Sequence, residues 1–446
     1  MRFASSLLLV AACSYSPPDG GDDDDVTPDS SLPDAYVLPT PELFPGGGVG
    51  GGPIVAGMNV FAVDEDTDLP IAGATVTIGE VTGTTDSTGL FTSTDARLAG
   101  KQAVLITATG YRPQLWVGVA GANVTIQLDP IAAPPQGSIA GNITGFGTLP
   151  VAAGVGHQKR ATIGYTQHDN ASDAVNNIRT ANNTNSCVVI PGGPADDCNY
   201  AVNTRTGTIG LFAAINDYNT KNTGTTQDDT QTLITYAYKT GITVDDGVSM
   251  TGQALTPLAQ SDLVEVTTGF GTPPSGLGVV FGLLAIELPA EGYAVLNLAV
   301  PGVTTRLPKT SVFPGSTYRL IGFAGAPDNS AFSVPIRRGL STTTIEAGSW
   351  LTPPADIVAT RQSLSFTASP GNLHVASYGD DSGSYLGIVI LDGSTSITIP
   401  AEVSLPTSAL TVAVEGVTST LALDDFGFDA DRAAITDLAF RFVVLP

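Results

Sequence analysis

The runs Val60-Phe61-Ala62-Val63, Ala74-Thr75-Val76-Thr77-Ile78, Gly89-Leu90-Phe91-Thr92, Ala103-Val104-Leu105-Ile106-Thr107, Leu115-Trp116-Val117-Gly118-Val119 and Val124-Thr125-Ile126-Gln127-Leu128 decide the fold class of this chain. Each is short, rich in β-branched and apolar residues, and bounded by turn formers, as strands of a sheet with one buried face are. About seven such strands fit between Pro53 and Pro130, the pattern of a small antiparallel sandwich. Within it Pro70 fixes a dihedral at a turn, and Gly73 lets the chain bend before Ala74 and Val76 enter the core. Asp86 with Gly89 makes a hairpin loop that delivers Phe91 inward. Gly110 permits another bend, and Tyr111 buries a ring whose hydroxyl needs a partner.

The same pattern continues on the C-terminal side. Beyond the link Pro130-Ile131-Ala132-Ala133-Pro134-Pro135, the run Gly137-Ser138-Ile139-Ala140-Gly141-Asn142-Ile143 opens a second body. Its strand candidates are Arg160 to Tyr165, Gly207 to Ala213 and Thr232 to Tyr238, with Asn- and Asp-rich loops between them. A third body alternates in Gly278 to Leu288, Tyr293 to Val300, Ser316 to Phe323, Ser363 to Thr367, Tyr385 to Leu391 and Leu438 to Leu445. We read it as one sandwich, which would divide at Leu351-Thr352-Pro353-Pro354-Ala355 if it is two. The expected fold is therefore all-β, with tandem antiparallel β-sandwich domains at 53–130, 136–260 and 261–446. The 446 residues, rich in Gly and Pro and poor in Lys and Met, agree with strands and tight turns rather than long helices.

The first body carries a resemblance. Val63-Asp64, then Asp68-Leu69-Pro70-Ile71-Ala72-Gly73-Ala74-Thr75-Val76, then Thr85-Asp86-Ser87-Thr88-Gly89-Leu90-Phe91, then Thr109-Gly110-Tyr111 resemble the carboxypeptidase regulatory-like domain, a prealbumin-type β-sandwich. The resemblance is confined to this one body of the chain. It implies a module without chemistry of its own, a spacer or a presenter of ligand-binding loops.

The N-terminus reads as an export signal: Met1-Arg2-Phe3, an apolar run from Ala4 to Ala12 interrupted by Ser5 and Ser6, and then Cys13. Leu9-Val10-Ala11-Ala12-Cys13 resembles the lipobox of bacterial lipoproteins, which implies that residues 1–12 are removed and that Cys13 is lipidated. Ser14, where an Asp would favour retention at the inner membrane, implies sorting to the outer membrane. An ordinary secretory signal with a chance Cys is the alternative. From 13 to 52 the chain is dominated by Pro, Gly, Asp and Ser, including Asp22 to Asp25 and the glycine run Gly46 to Gly52, and is expected to be a disordered tether. Such a coil would span on the order of 35 Å and stretch to roughly 130 Å.

Net charge −24 makes nucleic acid an improbable partner and suits cations, with solubility as the plainer explanation. Two acid clusters are candidates for calcium: Asp64, Asp66 and Asp68, crowded in one loop with Glu65, and Asp425, Asp429 and Asp431, which with Asp424 surround Phe426-Gly427-Phe428. Neither has the DxDxDG order with a closing Glu, and an exposed polar loop accounts for each as well. Cys187 and Cys198 flank Pro191-Gly192-Gly193-Pro194, and in an exported protein they should pair, contributing roughly 3 kcal/mol.

Enzyme motifs are missing. His157, His168 and His374 occupy no zinc-ligand spacing, and Ser382 in Gly379-Asp380-Asp381-Ser382-Gly383 lacks the first glycine of a nucleophile elbow. No catalytic residue is assigned. The function expected is that of a non-catalytic, lipid-anchored envelope protein whose domains space and present binding loops to a surface polysaccharide or protein, with the membrane as partner through its lipid. Two alternatives stand beside it: a calcium-stabilised stalk, and a hydrolase of envelope polymers using loop carboxylates, for which Trp350 would be a sugar platform or, more plainly, a core residue.

Overall fold

The computed structural model describes residues 37–132, 135–167, 185–189, 198–223, 225, 228–380 and 383–446. The signal peptide, Cys13, and the first part of the expected tether lie outside the described residues. Regular structure among the described residues is strand, with short 3-10 turns such as Phe146–Thr148 and Gln260–Asp262. The chain is a set of antiparallel β-sandwiches, as the alternating runs require.

One sheet of twelve strands joins them. Its order is Gly292–Ala299, Val279–Leu288, Thr317–Gly325, Ala331–Leu340, Ile435–Leu445, Leu410–Ser419, Leu373–Asp380, Gly383–Ile390, Gln114–Val119, Gln102–Thr107, Thr75–Ile78 and Val81–Thr84. The first body enters this sheet through a parallel pairing, Leu115 opposite Ile388 and Val117 opposite Ile390. Period-two alternation then sends neighbouring side chains to different cores. Val104, Ile106 and Trp116 face one core, which is covered by the sheet containing Met58–Asp64 and Gly121–Leu128. Leu105 and Leu115 face another, shared with Tyr378, Ile388, Val412 and Val414 and covered by Ala355–Ala359, Ser363–Thr367 and Ser396–Thr398.

The second body is a sandwich of its own. Asn185–Val189, His157–Tyr165, Gly207–Asn219, Thr230–Val244 and Thr256–Pro257 form one sheet; Asn199–Arg205, Gln136–Asn142 and Ser249–Met250 form the other. Ile209, Leu211, Ala213 and Ile215 point between these sheets. Phe212 and Tyr236 point the other way, into a core with Leu263, Leu284, Leu320 and Ile345. The segment 261–446, read as one sandwich, feeds one core with residues before 351 and another with residues after 355, and residues from both parts also pack into the core of the first body. The two parts remain stitched together by the ladder of Ala331–Leu340 with Ile435–Leu445.

The tether expected through residue 52 ends earlier than its composition suggests. Gly48–Pro53 is a strand, pairing with Gly121–Leu128 through Val49 and Val124 and with Phe426–Gly427 through Val49 and Phe426. Glycines are what this slot admits: a Cβ on Gly48 would lie 2.4 Å from the Phe426 carbonyl, and one on Gly50 would lie 2.6 Å from the ring of Phe44. The segment has little apolar surface of its own, and the strands on either side of it supply the surface and the hydrogen bonds that order it.

Candidate functional site

The loop after Met58–Asp64 turns on Asp64 itself. Its Oδ1 accepts from the N–H groups of Asp66 and Thr67 at 3.0 and 2.9 Å and from the Thr67 hydroxyl at 2.8 Å. Its Oδ2 accepts from the Tyr111 hydroxyl at 2.9 Å, the partner that ring requires. Asp68, in a left-handed conformation at φ 54°, accepts from the N–H of Gly46 at 3.2 Å and the amide of Gln127 at 2.8 Å. Asp66 is half-buried, and burial, helped by Asp64 and Asp129, pushes its carboxyl up to about 6. The acids singled out for calcium are spent largely on the turn and on the N-terminal segment.

The second acid cluster serves the same segment. Asp431 accepts the N–H of Gly427 at 3.1 Å, the Asp429 N–H reaches the Pro45 carbonyl at 3.3 Å, and the Phe428 N–H reaches the Gly47 carbonyl at 2.8 Å. Asp424 and Asp425 are exposed. Asp68 and Asp429, far apart in the chain, thus both meet the Pro45–Gly47 turn. Among the described residues no group of three or more His, Cys, Asp or Glu side chains is placed to hold a metal ion.

Cys187 is opposite Ala161 in the Asn185–Val189 strand, and Cys198, buried, precedes Asn199–Arg205, whose backbone runs beside that strand. His157 is held between Asp217, at 2.8 Å, and Asn219, at 3.0 Å. His374 is buried against Phe366. His168 and Ser382 lie outside the described residues. Trp350 donates to the Phe270 carbonyl and packs against buried apolar residues, the position of a core-edge ring.

Two acids that the reading of the sequence did not bring together face a cavity of about 60 Å³ between the first body and the C-terminal sandwich. Glu415 stands on the inward face of Leu410–Ser419, between Ala413 and Val417, with 5% of its surface exposed. Its Oε1 has no hydrogen-bond partner, and burial pushes its carboxyl up to about 8. Glu65, 7% exposed, is also pushed up to about 8, chiefly by burial and then by Asp129, Asp66 and Asp64, with Arg112 opposing. Asp129 itself is paired with Arg112 at 2.8 Å. The signal for Glu415 was legible as a lone acid in the apolar run Val412-Ala413-Val414-Glu415-Gly416-Val417, whereas Glu65 was masked by three acidic loop neighbours.

The chain is an all-β protein built of tandem antiparallel β-sandwiches. No protein-family model and no curated protein sequence matches it. Among solved structures it is similar to the shaft pilin SpaA from Lactobacillus rhamnosus GG, at 13% identity over 46% of this chain and 98% of that one, with a TM-score of 0.12. It is also similar to the FN1–FN3 domains of chicken CNTN1, at 12% identity over 70% and 98%, TM-score 0.14. Two B repeat units of the collagen binding protein of Staphylococcus aureus align at 10% identity over 83% and 97%, TM-score 0.13. The fold assignment rests on the strands and their registers, not on these superpositions.

Proposed function

We propose that this chain is a non-catalytic structural or binding module of the cell surface, exported and held to the outer membrane by a lipid on Cys13. The observation that carries the reading is the locked N-terminal strand. Gly48–Pro53 lies between strands of the first body and of the C-terminal sandwich, so a tether attached ahead of it would load the whole folded body at once. Segment 53–130 is read as a carboxypeptidase regulatory-like domain, supported by the Asp86–Gly89 turn: Asp86 Oδ1 accepts from the N–H groups of Thr88 and Leu90, and Gly89 stands at φ +74°. Cys187 and Cys198 are read as a disulfide, supported by their neighbouring strands. Ligand contact would fall to the exposed loops, with a surface polysaccharide or protein as the class of partner.

The test is mass spectrometry of the protein taken from its native membrane without reduction. An acylated N-terminus at Cys13 and a cross-linked pair of peptides carrying Cys187 and Cys198 are expected. An unmodified N-terminus at another residue would overturn the lipid anchor.

A further inference from the structure

The strand Val279–Leu288 has the sequence of a strand buried on both faces. Its run Val279-Val280-Phe281-Gly282-Leu283-Leu284-Ala285-Ile286 is apolar without a break, whereas a strand with one wet face alternates. One face is filled: Leu284 and Ile286 lie in the core shared with Phe212 and Tyr236 of the second body. On the other face Phe281 stands opposite Phe323, with the two rings stacked at 5.0 Å, and Leu283 stands opposite Leu298 and Ile321. This face continues the core of the first body, since Val334 and Leu438 belong to that core and Leu283 and Phe323 pack against its margin. Beyond the margin the cover stops among the described residues. Val279 is 55% exposed and Leu298 51%. Val279 leads through Gly325 and Phe332 to Phe440, and Val444, four residues further along that strand and on the same face, is 72% exposed.

Charge, edge and area together select the occupant. Val279, Phe281, Leu283, Leu298, Phe323 and Val444 carry no charge, on a chain of net charge −24. A second body of that charge approaches closely only where carboxylates do not oppose each other, and two copies of this face meet that condition. A lipid surface suits it less, because faces that lie on membranes are rimmed with Lys and Arg free to meet headgroups. Here Arg319 is buried beside Glu287 and over the Tyr293 ring, and Arg338 donates to the Ile435 carbonyl. Pairing along the sheet edge is blunted as well: on the edge strand Gly292–Ala299 the N–H of Leu298 is taken by the Asn297 side chain at 2.8 Å. Packing of sheet on sheet, about 10 Å apart, is left, as in the other cores of this fold. Five strands at about 4.8 Å and three rows of side chains at about 6.8 Å give a footprint of roughly 500 Å² per copy. A standard interface takes about 800 Å² per partner, so this one is weak, half-formed at roughly 100 μM chain.

We propose that a second copy of this chain covers this face, the two Val279–Leu288 strands and their neighbours packing against each other about a twofold axis.

The experiment is sedimentation velocity of the full mature chain carrying Cys13→Ser, from about 10 μM to about 1 mM. A reversible shift from monomer toward dimer is expected, and it should strengthen between about 0.05 and about 0.5 M sodium chloride as repulsion between the acidic bodies is screened. Leu298→Glu and Val279→Glu should each weaken association about tenfold or more, by setting like charges against each other. Both positions are exposed, and circular dichroism with the urea midpoint establishes that each variant is folded; one folded variant suffices. The proposal is overturned if the wild-type chain stays monomeric throughout, if no folded variant weakens association, or if salt weakens it. It is also overturned if phosphatidylcholine vesicles bind wild type and not Leu298→Glu while no dimer forms, which would make the face a lipid contact. Failure of the lipid anchor leaves the dimer untouched, because association is read on chains without an acyl group.

Discussion

Asp68 accepts the backbone N–H of Gly46 at 3.2 Å, tying a loop of the first sandwich to the turn that leads into the N-terminal strand. The same oxygen takes the Gln127 amide at 2.8 Å, so one carboxylate fixes two segments. Asp68→Ala should free both donors and cost about 1–2 kcal/mol of stability, read as a lower urea midpoint with unchanged slope. Gly46→Ala should also destabilise, because φ is +76° there and a Cβ would lie 2.7 Å from Asp429 Oδ1. Wild-type stability in both variants would contradict the clamping of the N-terminal strand.

Glu415 makes the fold lose stability as pH rises from the acidic range toward 8. Its folded-state pKa is raised from 4.5 to about 8, so its contribution is fully present below pH 4.5 and is lost as pH rises toward 8. Glu65 shifts the same way. Wild-type stability should therefore fall across that window, each group adding a slope of at most about 1.4 kcal/mol per pH unit. Glu415→Gln should stabilise the chain at pH 8 and remove one group's share of the slope. Parallel pH profiles for wild type and variant in chemical denaturation would contradict this.

His374 acts in the opposite direction. Burial lowers its pKa below 6.5, so the unfolded chain takes up the proton first and stability is lost as pH falls below about 6.5. The ring lies against Phe366, and the Ser369 backbone, which favours the charged form, opposes burial only in part. His374→Leu should lose less stability than wild type between pH 7 and pH 5. The comparison is a difference between the two proteins, so the carboxylate contributions cancel.

Lys159 holds a turn closed. Its Nζ donates to the carbonyls of Phe146, Gly147 and Leu149 at 2.5, 3.0 and 2.6 Å and lies 5.2 Å from the Phe146 ring centroid. Lys159→Met keeps the stem and removes all three donors, at a cost on the order of 2–3 kcal/mol. Hydrogen exchange of the amides from Phe146 to Leu149 should quicken before the rest of the sandwich responds. Unchanged exchange there would show that the turn closes without the lysine.

Strands were legible from local pattern. Val104 to Ile106 and Leu438 to Leu445 run apolar as strands with a buried face do, and Asp86 with Gly89 marks a turn by residue type alone, although the strands it joins, Val81–Thr84 and Leu90–Ser93, lie in different sheets and form no hairpin. The acids were legible as a class but not in their roles. Asp64, Asp68 and Asp429 read as ion ligands because the donors they accept from, or the turn they meet, belong to residues 46, 111 and 127, remote in the chain.

Residue order by itself determined an all-β chain, with strand positions and turns set by period-two alternation and by the dihedral preferences of Gly, Pro and Asp, which act within a few residues. Tertiary structure alone decided which strands became neighbours. The pairing of Leu115 with Ile388 and the entry of Gly48–Pro53 between Val124 and Phe426 depend on hydrogen bonds that any backbone can make. What selects those partners is the apolar surface that both faces of the twelve-stranded sheet bury at once, and that is a property of the folded body rather than of any segment.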